Sequence, residues 1–143
     1  MILVDTTVLV YSVGTDHALR TPCRELLQLV EEGRVRATTT VEVLQEFAHV
    51  RARRRSRKDA AAVARSAAIG LSPLVHPEFE DLMDGLELFQ TTERLGVFDA
   101  VLAASARRQG WAIASADAAF EAVQGLRHLN PASPTFLEDA RES

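Results

Sequence analysis

Asp5 stands directly behind the apolar run Ile2-Leu3-Val4, and Glu46, Asp99 and Asp117 recur in similarly apolar settings along the chain. Acids flanked by core-forming residues are costly to bring together. Two unit charges about 4 Å apart repel by roughly 4 kcal/mol at the effective dielectric of a protein surface region. A fold that gathers such side chains must protonate some of them, place cations between them, or bind a metal ion. Hard divalent ions such as Mg²⁺ and Mn²⁺ take oxygen ligands of this kind. The residues alone therefore point to a carboxylate-lined metal site.

The 143 residues are 47% hydrophobic, which suits one domain over 1–143 with a full-sized core. A net charge of −4 leaves any polyanion binding to local patches. Cys23 is the only cysteine, so no intrachain disulfide forms and a cytoplasmic setting is expected. No basic segment precedes the first apolar run, and that run stops at Asp5, so no secretory leader is expected. No apolar stretch approaches a membrane span, and no membrane association is expected.

Short strands alternating with helices predict an α/β fold, a mainly parallel sheet flanked by helices on both sides. Strands are expected at Ile2 to Val4, Val35 to Thr38, Leu74 to His76, Trp111 to Ser115 and Leu126 to Leu129. Helices are expected from Thr7, from Thr21 to Glu32, after a capping box Thr39-x-x-Glu42, from Asp59 to Ile69, and from Phe98 to Arg108. Another begins at Pro77 and carries Phe79, Leu82, Met83, Leu86 and Phe89 at amphipathic spacing. A short helix follows Asp117, and the proline-containing tail over 131–143 is expected to be loosely ordered. Functional residues of such sheets collect beyond the carboxyl ends of the strands. Asp5 and Asp117 fall there.

Each acid also has a purely structural reading. Asp5, Asp99 and Asp117 are credible N-caps, and Glu46 can pair with Arg53. Glu42, one turn before Glu46, is explained first by the capping box and second as a further residue facing the same site. Thr6 and Ser115 are hydroxyls beside the acids. His17, His49, His76 and His128 show no metal-binding spacing, and Cys23 has no activating base nearby in sequence. The dense basic run Arg51, Arg53, Arg54, Arg55, Arg57 and Lys58 follows the Glu46 helix, and is either a phosphate-binding patch or a solvated helix face.

Three segments carry a family likeness: Ile2-Leu3-Val4-Asp5-Thr6-Thr7, then Val43-Leu44-Gln45-Glu46-Phe47, then Phe98-Asp99-Ala100-Val101-Leu102-Ala103-Ala104-Ser105-Ala106 continuing through Gly110 to Ser115-Ala116-Asp117. Together they resemble the PIN-domain family, and within it the VapC-type toxins of toxin–antitoxin pairs. The likeness implies a metal-dependent ribonuclease that uses Mg²⁺ or Mn²⁺. It implies Asp5, Glu46, Asp99 and Asp117 as catalytic acids, with Asp5, Asp99 and Asp117 as metal ligands and Thr6 and Ser115 as supporting hydroxyls. It also implies an RNA substrate, a small antitoxin partner and a homodimer. The hydroxyl after the first acid is doubled here, as Thr6 and Thr7, and serine stands at Ser115 where threonine is commoner. Two rival readings stand beside it: a non-catalytic PIN-like binding module, and a phosphatase of the haloacid dehalogenase type. The latter needs a second aspartate where Thr7 stands.

Overall fold

In the computed structural model, which describes residues 1–143, four short strands form one parallel sheet in the order β2-β1-β3-β4. The strands are β1 (Ile2–Val4), β2 (Ala37–Thr38), β3 (Ala112–Ala114) and β4 (Arg127–Leu129). Leu3 lies opposite Thr38 on one side and Ile113 on the other, and Ile113 lies opposite His128. Every residue of β1 and β3 is buried. Strands covered on both faces have no solvent side, which is why these two read as apolar runs without alternation.

The helices are α1 (Thr6–Val13), α2 (Arg20–Glu31), α3 (Val41–Arg54), α4 (Arg57–Gly70), α5 (Phe79–Thr91), α6 (Val97–Gln109) and α7 (Phe136–Arg141), with a single 3-10 segment over Ala118–Ala122. α6 lies close to the sheet because its inner face is small: Ala100, Ala103, Ala104 and Ala106 are all buried. The chain passes from β1 to β2 on one side and later to β3 on the other. Such a reversal opens a crevice beyond the carboxyl ends of the two strands. Asp5 follows β1, and Ser115 and Asp117 follow β3.

Four local expectations need correction. Leu74 to His76 forms no strand, only a single bridge between Val75 and Thr40. Thr40, not Thr39, caps α3, accepting a hydrogen bond from the Val43 amide at 3.2 Å. Thr39 is buried and donates instead to the Val4 carbonyl at 2.7 Å. Glu42 thereby loses its capping role. The N-cap of α6 is Gly96, which leaves Asp99 within the first turn. The tail is ordered: Phe136 and Ala140 are buried, and the Arg127 guanidinium donates to the Asp139 carbonyl at 3.0 Å. Apolar anchors four residues apart make α7 a docked helix despite the proline before it.

α5 departs furthest from the usual amphipathic pattern. Phe79, Leu82, Met83, Leu86 and Phe89 are 43 to 70% exposed, while Asp81, Gly85 and Leu88 face inward. Two contacts with α6 set this orientation. Fully buried Asp81 accepts two hydrogen bonds from the Arg108 guanidinium, at 2.6 and 3.0 Å. At Gly85 the helices nearly touch, and a Cβ there would lie 2.7 Å from Val101 Cα and 2.9 Å from its nitrogen. The clash is with backbone, so neither helix can yield locally. Gly85→Ala is expected to destabilise the protein by about 2–3 kcal/mol in urea denaturation. An unchanged midpoint would show that the two helices are not held at this spacing.

Candidate active site

Asp5 combines deep burial with dense hydrogen bonding. Its side chain is 2% exposed, and Oδ2 accepts from Ser115 Oγ at 2.7 Å, Thr7 Oγ1 at 2.7 Å and the Thr7 amide at 3.2 Å. Each hydroxyl has one proton to give and gives it to Asp5. Each also accepts from a backbone amide, Thr7 from Ala116 at 2.9 Å and Ser115 from Asp117 at 3.0 Å. This closed arrangement ties the end of β1 to the end of β3. Asp5 is also the N-cap of α1, so its capping and site readings are one geometry. Burial raises its pKa above the ordinary carboxylate value, against the opposing effect of these hydrogen bonds.

The other three acids reach the same place from separate elements. Glu46, exposed on α3, makes no ion pair with Arg53; its Oε2 accepts from Thr6 Oγ1 at 2.6 Å. Asp117 caps the 3-10 segment through the Ala119 amide at 2.8 Å. Asp99 rises from the first turn of α6. All four line a cavity of about 390 Å³ together with Thr6, Thr7 and Arg54. Asp5, Glu46 and Asp99 also border an adjoining groove of about 520 Å³, walled by Glu42, Phe79, Leu82 and Phe98. The crowding appears in Asp99, whose pKa is pushed up to about 7, first by burial and then by the negative charges of Asp5, Asp117 and Glu46.

The donors are all carboxylate and hydroxyl oxygens, the chemistry of a hard divalent ion. No three of the acids are drawn close enough to form a ready-made metal cage. Other chemistry is poorly supplied. Cys23 is buried on α2, where burial pushes its thiol up to about 12. No histidine lines the acid cavity. His128 serves the sheet, its Nε2 bonded to the Ser115 carbonyl at 2.8 Å.

The basic run differs in its pairing. Arg51 pairs with Asp59, and its Nη1 donates to the Val13 carbonyl at 3.0 Å. Arg53, Arg54 and Arg55 are exposed, and of these only Arg54 lines the acid cavity. Thr7 had no expected site role, whereas Glu42 borders the adjoining groove as its second reading allowed, and Arg54, from the basic run, lines the acid cavity itself. Thr7 had a readable signal, because a hydroxyl two residues after a strand-end aspartate can close a turn onto it.

Between about pH 4, the unfolded value, and about pH 7, folded Asp99 keeps a proton that the unfolded chain has released. The folded state then binds more protons, so stability falls as pH rises through that window. Metal-free protein is expected to be less stable at pH 8 than at pH 5 by roughly 1–2 kcal/mol after allowance for solvent screening. Chemical denaturation in EDTA measures this, and Asp99→Asn should flatten the difference. A variant with the wild-type dependence would place the titrating group elsewhere.

Comparison with known proteins identifies the family. Residues 2–126 match the family model described as PIN domain. Ribonuclease VapC7 of Mycobacterium tuberculosis is 50% identical over 133 residues, covering 92% of each chain. Ribonuclease VapC23 of the same organism is 36% identical over 112 residues, 77% of this chain and 86% of the relative. Among solved structures, Mycobacterium tuberculosis VapC20, titled a sarcin–ricin loop cleaving toxin, superposes with a TM-score of 0.69 at 26% identity, covering 85% of this chain and 94% of that one. With the acids grouped beyond β1 and β3 and relatives of this closeness along nearly its whole length, the chain belongs to the PIN-domain family as a ribonuclease of the VapC type.

Proposed function

We propose that this ribonuclease hydrolyses RNA phosphodiester bonds with Mg²⁺ or Mn²⁺ and acts as the toxin of a toxin–antitoxin pair in the cytoplasm. The observation that carries the reading is the meeting of Asp5, Glu46, Asp99 and Asp117, from four distant segments, on one cavity. Asp5, Asp99 and Asp117 are the proposed metal ligands. A divalent ion held there supplies positive charge against the charge developing on the phosphate. The chain's own groups do the rest. Thr7 and Ser115 fix the Asp5 carboxylate, Thr6 orients Glu46, and Asp99 would have to be deprotonated to act as a ligand.

The rival readings have less support. A non-catalytic module has no use for an acid that burial, and then the charges of three other acids, lift to about 7. For the phosphatase reading, Thr7 stands where the second aspartate is required, and its hydroxyl is held by Asp5. No helix is long and apolar enough to cross a membrane. A homodimer is supported by the outward stripe of α5, whose Leu82, Met83, Leu86 and Phe89 are each 43 to 50% exposed. The acid-bordered groove beside it suits a basic, partly apolar antitoxin segment.

Incubating a short RNA panel with Mn²⁺ should give cleavage that EDTA stops, and Asp99→Asn should slow it by roughly a hundredfold or more. Equal cleavage in chelator would remove metal from the mechanism. For self-association, Leu86→Glu should convert a dimer to a monomer in light scattering. A wild-type protein that is already monomeric at high concentration would overturn the homodimer.

A further inference from the structure

We propose that Arg54 and Arg55 form a phosphate track leading into the acid cavity, with Arg54 holding the internucleotide phosphate next to the one being cut. The proposal rests on the ribonuclease reading and sorts the basic run by place. Arg51 is closed off by Asp59 and the Val13 carbonyl. Arg54 stands two helical turns beyond Glu46 on the same face of α3, and is the single cation among the residues lining the acid cavity. It also lines a neighbouring cavity of about 140 Å³, together with Arg55 and the ion-paired Arg51. The two cavities share Arg54 as a common wall, so basic surface runs from Arg55 to the acids.

An arginine placed to neutralise the acids would pair with one of them. Arg54 pairs with none, and Glu46 takes its short hydrogen bond from Thr6 instead. Its guanidinium is therefore available to an incoming anion. The need for one is physical: an RNA strand approaching the acids meets repulsion at every phosphate, in a molecule of net charge −4. A planar fork of N–H donors beside the acids matches a phosphate and anchors the strand where the carboxylates alone would expel it.

The test uses a fluorescein-labelled single-stranded RNA and the Asp99→Asn protein in EDTA, so that residual cleavage does not consume the probe. In that background Arg54→Ala should weaken binding roughly tenfold. It should also reduce the slope of log affinity against log salt by about 0.7, the share of one phosphate contact in a single strand. Arg55→Ala should act in the same direction and Arg53→Ala should change neither quantity. In the cutting enzyme, Arg54→Ala should raise KM more than it lowers kcat. Circular dichroism checks folding, and Arg54→Lys should restore the salt slope while recovering only part of the affinity. Unchanged affinity and slope for Arg54→Ala would overturn the proposal. So would unchanged RNA binding with tighter Mn²⁺ binding, which would make Arg54 a neutraliser of the acids. If wild-type protein fails to cut RNA at all, the ribonuclease reading falls, while the binding arm still judges Arg54.

Discussion

Keeping a carboxylate almost wholly out of water at the end of β1 is the constraint around which this molecule is arranged. Asp5 is tolerated there because two hydroxyls and an amide converge on one of its oxygens. The hydroxyls are themselves held by amides from beyond β3. Strand pairing in β1 and β3 sets the height of this network, and the small inner face of α6 lets Asp99 descend toward it. Remove any of these supports and the remaining oxygens face a buried charge without partners, which costs more than the bonds themselves contribute.

The order of the strands explains why the acids meet. A parallel sheet delivers all carboxyl ends to one rim, and the reversal between β1 and β3 leaves a gap there. Helices α3 and α6 contribute Glu46 and Asp99 from opposite flanks of that gap. None of the four acids is near another in sequence, so their proximity is a property of topology alone. Helix α3 carries Glu46 and ends in Arg53 and Arg54, so one element brings both acidic and basic side chains toward the same cavity through Glu46 and Arg54.

Much of this was legible in residues. Buried parallel strands announce themselves as apolar runs, and all four retained strands lie within the expected segments. The four acids were readable because each interrupts an apolar stretch. What failed to show has physical reasons. Thr39 and Thr40 are equivalent as caps by composition, and only the buried Val4 carbonyl decides which is used elsewhere. α5 carries more apolar residues on its outward face than inward, because Gly85 and the Asp81–Arg108 pair select the inner one. Propensity cannot anticipate a choice made by close helix contact. In the tail, Pro131 and Pro134 masked Phe136 and Ala140, whose burial is tertiary.

Asp99 makes the charge of the rim depend on its surroundings. With its carboxyl raised to about 7, the rim between β1 and β3 carries about one negative charge fewer in mild acid than in mild base. A cation that took its ligands there would compete with that proton, and its uptake would discharge the proton into the buffer, so the measured heat would vary with the buffer's own ionisation enthalpy.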